Sequence, residues 1–597
     1  MNAFSSLTTL KTNILAVKNF CHIVKKRFIA LPHYAQVIIV SLLVAFVYLY
    51  PLIHGSGGGL YGDDLHFHID RVRGLATIWQ SPVSFQSFYK VGLGINFFYP
   101  YLTYYPYYLL YAVFHDFYTA WIIYFYILTS LTYLIAYFSS FRILASRQSS
   151  HLFALFYTFA SYRLVNLLIR FAVGELIAIT FLPLVFCGLY LILKGNYEKW
   201  YYLSFGMALI IYSHILSFVM TSVLVVLIYI TAIWFTDKPI IRTIYLGIAG
   251  LASLALGSFQ FFSMLEQLNY HSLNVPSQLV EHFDVKTLKE IISFAFSNNL
   301  YQHTFGLSVL LALLLIGVFI RKLQREDAYL LGLTVSLIIL ETPLVHFPAL
   351  GGTIQFMWRL NAYITLFVLF LAAKLLGKSH FKNHRAYLIL LLGLILIHNS
   401  ASLKVFEGAN RYPANPVGEL SKRNSLKKLT NSVMMMDYAN HSENTEREIY
   451  DMDSKVHHRI FISNSTIQLE SSSKFTSRYC SFTIDNPTAE AQFIDLPLYH
   501  YKGQIARLDG EIIPTTLNEI SGSAMVAIPP GEHSITVTYA YTPLAKTAFL
   551  SSVLSLIAIL IYVIINIQGI NLRLTGWQKQ QAFIRGLKEN VFSKMSV

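Results

Sequence analysis

Long apolar runs recur along the whole chain, and they constrain its fold more than any other feature. The first strong run covers residues 35–53, and the last covers residues 547–567. Roughly 20 apolar residues are needed for a helix to cross the hydrocarbon core of a bilayer. Of all residues, 55% are hydrophobic and 13% are charged, whereas soluble proteins carry roughly 25% charged residues. We therefore predict a mainly α, polytopic helical bundle in a lipid bilayer, with about twelve spans.

The distribution of positive charge fits the same prediction. The formal net charge is +14, but the basic residues stand in short clusters between apolar runs. Cytoplasmic loops of membrane proteins show this excess of Lys and Arg, so the charge gives no reason to expect nucleic acid as a partner. Both termini are predicted to be cytoplasmic. Residues 1–34 form a basic, amphipathic N-terminal segment, and residues 568–597 form a basic tail.

Changes in polarity divide the chain into domains. Residues 35–400 are predicted to form the transmembrane domain, with a first outer loop at 54–117. Whether residues 98–115 cross the membrane stays open. Residues 401–545 are polar, and segments such as SITVTYAY alternate apolar and polar side chains, which predicts β-strands. We expect an extracytoplasmic β-rich domain there, followed by a last span at 546–567.

The first outer loop contains the densest group of ionisable residues. Ionisable groups beside a bilayer are costly to keep without a function. An aspartate at the start of this segment is also an acceptable helix N-cap, and that structural role is the alternative. The residues concerned are Asp63, Asp64, His66, His68, Asp70 and Arg71.

Part of this group could be mistaken for a metal site. On a helix, His66, His68 and Asp70 stand at positions i, i+2 and i+4, so they do not share one face. We predict no metal site and no cofactor, although a divalent cation stays open. The chain also contains no Walker, dinucleotide-binding or HExxH motif, which argues against nucleotide-driven transport and zinc-protease chemistry.

Further polar residues stand at the predicted outer ends of later spans. Arginine is disfavoured on that side, so it needs an explanation. Snorkelling to lipid headgroups is one explanation, and binding of an anion opposite the first loop is the other. For the histidine in this group, a satisfied structural role is the alternative. The residues are Arg163, Arg170, Glu175, His214, Gln355 and Arg359.

An ordered set of motifs resembles the YfhO-like bacterial membrane proteins and the neighbouring group labelled 6-pyruvoyl-tetrahydropterin-synthase-related. The closing segment, DLPLYHYKGQIARLDGEIIP, resembles the C-terminal module of the YfhO-like proteins. One departure is Met357, which stands where the family has proline. The motifs are GDDLHFHIDRVRGL, GINFFYPYLTYY, FASYRLVNLLIRFAVGELIAITFLPL, SHILS and IQFMWRL.

This resemblance implies a glycosyltransferase of the GT-C class in the bacterial plasma membrane. Such an enzyme moves a sugar from a polyprenyl-phosphate donor to a cell-envelope acceptor, which is a glycan, a teichoic-acid-like polymer or a lipid. Its further partners would be the lipid bilayer, a polyprenyl-phosphate glycosyltransferase and a flippase. The alternatives are a flippase or transporter of lipid-linked saccharide and a non-catalytic envelope assembly protein.

The chemistry of this class assigns roles to the residues above. The acceptor needs a general base, and the departing phosphate needs cations. Asp64 is the predicted base, with Asp63 second. The predicted substrate-binding residues are His68, Arg71, Arg163, Arg170, Glu175, His214, Gln355 and Arg359.

Overall fold

The structure of the protein is a computed structural model. Most of the N-terminal segment, the basic tail and residues 412–436 lie outside its described part, and so do the predictions made for them. The described residues are 22–23, 26–55, 62–274, 285–345, 354–378, 384–411, 437–441, 454–462, 467–469 and 471–566.

The prediction of a mainly α membrane protein is confirmed. Within the described residues, nine helical stretches are long and apolar enough to cross a bilayer. They are His33–His54, Phe117–Leu144, Arg147–Ile169, Val173–Leu193, Ile215–Phe235, Pro239–Leu256, Met357–Gly377, Tyr387–Val405 and Pro543–Asn566.

Three other predicted spans are shorter helices. Tyr201–Ile211 has 11 residues, Leu307–Val318 has 12 and Arg325–Leu340 has 16. At 1.5 Å per residue, the shortest covers roughly 16 Å, about half of the hydrocarbon core. The count of twelve spans therefore stays a prediction. The remaining helices are Leu65–Gly74, Ile95–Phe98, Tyr105–Phe114, Ser161–Leu164, Ser258–Leu268 and Leu288–Ser297.

Small residues let the helices of the bundle approach closely. A Cβ atom added at Gly188 would lie 2.2 Å from the backbone nitrogen of Leu203, and one at Gly206 would lie 2.8 Å from the side chain of Val185. Glycine is therefore needed where Val173–Leu193 packs against Tyr201–Ile211. Such contacts are typical of helix packing in membranes, where close van der Waals contact replaces much of the hydrophobic effect.

The stretch after Thr158, which carries Arg163, Arg170 and Glu175, is largely helical. Ser161–Leu164 is helical and Val165–Ile169 forms a π-helical turn. The Asn166 side chain donates a hydrogen bond to the Tyr162 carbonyl at 3.1 Å. The polar residues of this stretch thus bond to one another inside the bundle.

The predicted C-terminal β region is confirmed, with ten strands among its described residues. In the part of the chain described there, one antiparallel sheet has the order β2-β1-β5-β9-β8 and the other has the order β3-β4-β10-β6-β7. The strands are β1 Ile460–Ile462, β2 Gln468–Leu469, β3 Ser471–Phe475, β4 Tyr479–Asn486, β5 Gln492–Asp495, β6 Gln504–Leu508, β7 Glu511–Ile513, β8 Thr516–Asn518, β9 Ser523–Ile528 and β10 Gly531–Tyr539.

The alternation seen in the sequence sets which side chains are buried. Ile535 and Val537 of β10 lie opposite Phe482 and Cys480 of β4, and all four are fully buried. Ile494 of β5 belongs to the same buried cluster, so the two sheets share one core. The β region is therefore a two-layered domain.

The same core continues into the first loop. Phe85, Phe97 and Phe98 of that loop belong to the buried cluster of the β domain. The backbone nitrogen of Tyr499 donates to the carbonyl of Val91 at 3.0 Å. The β domain is thus docked on the loop that carries Asp63 and Asp64.

Candidate functional site

Backbone hydrogen bonds place the two first-loop acids beside the end of the π-helical turn. The nitrogens of Asp63 and Asp64 donate to the carbonyls of Ile169 and Arg170, at 2.9 and 2.8 Å. Gly62 makes this approach possible: its φ is +130°, and a Cβ there would lie 2.4 Å from the Cβ of Phe171. A glycine therefore brings the acids to the end of the π-helical turn.

Asp64 stands at the N-cap position of the helix Leu65–Gly74, but its side chain makes no capping hydrogen bond. The carboxylate of Asp64 is therefore not engaged in capping this helix. Asp63 is exposed and Asp64 is partly buried. Both acids are accessible to a ligand.

Glu175 is the centre of the ion cluster beside these acids. Its Oε2 lies 2.6 Å from Nη1 of Arg170 and 3.4 Å from Nε of Arg359. Its Oε1 accepts a hydrogen bond from the Tyr162 hydroxyl at 2.6 Å. Glu175 itself is only 3% exposed. One buried carboxylate thus holds two guanidinium groups that come from separate parts of the chain.

The two arginines are further fixed by polar and aromatic neighbours. Nη1 of Arg170 donates to Oδ1 of Asn166 at 2.9 Å, and Nη1 of Arg359 donates to Oε1 of Gln355 at 2.7 Å. The Arg170 guanidinium also lies 4.6 Å from the centre of the Trp358 ring. Contacts of this kind orient an arginine fork.

The charges of the cluster act on the first-loop acids. Burial raises the pKa of Asp64, and the negative charges of Asp63 and Glu175 add to this effect. Arg170 and Arg359 oppose it. Asp64 therefore lies within the field of both arginines, and its carboxyl binds a proton more readily than an ordinary aspartate.

Two of the predicted substrate-binding residues, His68 and His214, are histidines. His214 is the N-cap of the helix Ile215–Ala232, where its Nδ1 accepts a hydrogen bond from the Ser217 nitrogen at 3.3 Å. Burial lowers the pKa of His214 to about 3 and places that of His68 well below its usual value. Both are therefore neutral at physiological pH, and neither adds a positive charge.

Arg71 has a different environment from the cluster arginines. Its Nη2 donates to the carbonyls of Tyr99, at 2.9 Å, and Pro100. Its Nε lies 3.4 Å from Oδ1 of Asn96. These contacts hold the segment 96–100 of the first loop, so Arg71 acts on the shape of the loop.

Arg163 also lies apart from the cluster, although sequence reasoning grouped it with Arg170. It is 2% exposed and belongs to the candidate span Arg147–Ile169. Its Nη1 donates to Oγ1 of Thr132 at 2.7 Å and lies 3.4 Å from Oγ1 of Thr180. The structure thus separates the four predicted arginines into three environments.

Sequence reasoning missed several members of the site. Tyr162, Asn166 and Trp358 stand in motifs given above, but no role was predicted for them. Asp437 was missed entirely, because the segment around it has no recognisable pattern. Among the described residues, no group of three or more His, Cys, Asp or Glu side chains is placed to hold a metal ion.

Comparison of the whole chain with protein-family models and with curated proteins gives no match. A functional assignment must therefore come from the chemistry of the site. That chemistry combines an accessible carboxylate with a raised pKa and two oriented guanidinium groups at the end of a membrane bundle.

Proposed function

We propose that the protein is a membrane glycosyltransferase that uses a polyprenyl-phosphate sugar as its donor. The observation that carries this proposal is the position of Asp64, whose backbone is bonded to Arg170 and whose carboxyl lies in the field of Arg170 and Arg359. A base and a phosphate-binding group are the two things that such a transfer requires.

In the proposed reaction, Asp64 accepts the proton of an acceptor hydroxyl. The hydroxyl oxygen forms a bond to the anomeric carbon of the donor sugar, and the bond between that carbon and the phosphate oxygen breaks. Arg170 and Arg359 stabilise the charge that develops on the departing phosphate. Arginine suits this role because its planar fork matches two phosphate oxygens and keeps its charge.

The arrangement of charges in the cluster supports this role. Arg170 and Arg359 supply two positive charges, and Glu175 supplies one negative charge between them. The two guanidinium groups offer donors to an anion, while the carboxyl of Asp64 lies in the same field. Glu175 orients the two forks before the ligand arrives, which reduces the reorganisation needed in the transition state.

The apolar spans support a multi-pass protein of the lipid bilayer. We further propose the bacterial plasma membrane, with both termini cytoplasmic and the Asp64 site and the β domain outside. A lipid-linked donor would then be made by a polyprenyl-phosphate glycosyltransferase and delivered by a flippase. The acceptor would be a glycan, a teichoic-acid-like polymer or a lipid of the cell envelope.

The direct test is the substitution Asp64→Asn in protein reconstituted into lipid nanodiscs. With a radiolabelled polyprenyl-phosphate hexose as donor, transfer should fall about 1,000-fold, within the range attributed to general bases. Asp485→Asn is the matched control, because Asp485 is exposed on β4 of the β domain. Full activity after replacement of both Asp63 and Asp64 would refute the base assignment.

A second candidate function, a flippase or transporter of lipid-linked saccharide, is favoured by Arg163. Charged residues inside membrane spans commonly mark a transport pathway, and Arg163 is a buried cation within a candidate span. Liposomes that contain a fluorescent lipid-linked saccharide separate the two functions. Transbilayer movement that Arg163→Met abolishes, without any sugar transfer by the wild type, would establish the transporter instead.

A further inference from the structure

Asp437 belongs to a short segment, 437–441, that lies between the bundle and the β domain. The nitrogen of Tyr438 donates to the carbonyl of Asn274 at 2.6 Å, and the Tyr501 hydroxyl donates to the carbonyl of Tyr438 at 2.6 Å. The Asn440 side chain is bonded to the backbone of His500 at both ends, at 2.7 and 2.9 Å. This segment is therefore held by both regions.

Aromatic stacking places the segment over the first loop. The ring of Tyr438 stacks on Phe98 with centroids 4.3 Å apart and planes within 3°, and it meets Tyr99 edge-on at 5.9 Å. The Tyr99 carbonyl is in turn held by Arg71. Asp437 is thereby brought to the first loop across a rigid aromatic contact.

The helix that begins after Asp64 meets the same aromatic contact, because the Phe67 ring lies 4.8 Å from the Tyr99 ring. Burial raises the pKa of Asp437 to about 6, and the charge of Asp64 contributes to this shift. The fields of Asp437 and Arg359 both reach Tyr438. Asp437 therefore lies at the edge of the first loop, on the side of the β domain.

We propose that Asp437 binds the acceptor, and that the acceptor is a hydroxyl-rich saccharide held between Asp437 and Asp64 at the junction of the bundle and the β domain. This inference rests on the proposed glycosyltransferase function. It assigns the acceptor to the acidic side of the site and the donor phosphate to Arg170 and Arg359.

The chemistry of the two sides supports this division. Carboxylates accept hydrogen bonds and suit neighbouring hydroxyl groups, whereas an anionic phosphate would be repelled by them. Within the described residues, Asp437 forms no ion pair with an arginine or lysine. The partly buried rings of Tyr99 and Tyr438 supply an aromatic wall beside it. Sugar rings present both hydroxyls and apolar C–H faces, so they match such a surface.

The test is the substitution Asp437→Asn, assayed in nanodiscs with a fluorescent alkyl disaccharide as acceptor. The KM for the acceptor should rise at least tenfold, while the KM for the polyprenyl-phosphate donor stays within twofold of wild type. Asp437→Glu keeps the negative charge and should recover part of the acceptor affinity. An unchanged acceptor KM in Asp437→Asn would overturn the proposal while the transferase function stood.

A binding measurement separates failure of this inference from failure of the proposed function. If wild-type protein transfers no sugar, the same disaccharide is titrated against its thermal unfolding. Stabilisation of the wild type and of Asp485→Asn, but not of Asp437→Asn, would support the saccharide site without catalysis. Equal stabilisation of all three, or none at all, would refute it. Unfolding of the variants without ligand shows whether each one is folded.

Discussion

Arginines in the bundle have two kinds of partner, a carboxylate in one place and hydroxyl groups in the other. Arg170 and Arg359 share the carboxylate of Glu175. Arg163 contacts the hydroxyls of Thr132 and Thr180, which carry no charge. Both arrangements pair terminal guanidinium nitrogens in a medium where an unpaired polar group is costly, although Nε of Arg163 and of Arg359 has no hydrogen-bond partner among the described residues. The two arrangements differ in whether a carboxylate shares the positive charge, and in how accessible the arginine is to a ligand.

Accessibility separates the two groups further. The side chain of Arg170 is 11% exposed and lies beside the exposed Asp63, whereas Arg163 is 2% exposed. An anion can approach the first group from the surface, but it must enter the bundle to reach the second. Arginines seven residues apart thus belong to an accessible ion cluster and to an interior polar contact.

Glu175→Gln should have the largest effect on stability. Removing the shared carboxylate leaves two buried guanidinium groups without their counter-ion, and such changes destabilise proteins by about 3–5 kcal/mol. Thermal unfolding in nanodiscs should show a clear fall in Tm. An unchanged Tm would mean that the cluster does not depend on Glu175, and the two arginine groups would no longer differ in this respect.

Arg170→Lys and Arg163→Lys form a matched pair that keeps each charge and removes the planar fork. For Arg170, sugar transfer should fall by about 100-fold, because bidentate contact with the phosphate is lost. For Arg163, transfer should change by less than about threefold, because it takes no part in phosphate binding. The opposite ranking would move the functional centre into the bundle and favour transport.

The pH dependence of transfer should reflect the raised pKa of Asp64. A general base must be ionised, and the ionised fraction falls as the pH decreases through the pKa. The apparent pKa of the acid limb should therefore lie above roughly 3.9, the ordinary value for aspartate. At pH values below that apparent pKa, the transfer rate should fall about tenfold per pH unit. Rates measured from pH 4 to pH 8 test this, and a flat profile in that range would contradict it.

Thr180→Val should have the smallest effect. The change removes a hydroxyl that lies 3.4 Å from Arg163 and 2.8 Å from the hydroxyl of Thr132. The loss of one such hydrogen bond costs about 1 kcal/mol, and Thr132 still accepts from Arg163. Thermal unfolding should show a small decrease in Tm with transfer unchanged. A large loss of transfer would show that the interior group takes part in function.

The membrane class, most of the long helices and the β region could be predicted from sequence, because long apolar runs and strict alternation are local patterns. The stretch 162–175 could not. Its polar residues resemble those of a loop, and only the contacts of Asn166, Tyr162 and Glu175 with one another show that they are buried. Local pattern therefore failed where polar groups satisfy each other in the interior.

For the candidate site, sequence alone determined the residue types: adjacent acids in the first loop, and arginines at later positions. It could not separate Arg163 from Arg170, since both stand in one apolar motif. Arg170 and Arg359 meet on Glu175, Arg163 turns to threonines, and the segment of Asp437 comes to the first loop only when the chain has folded. Most of these partners are far apart in the chain, so their contacts depend on how helices and sheets pack.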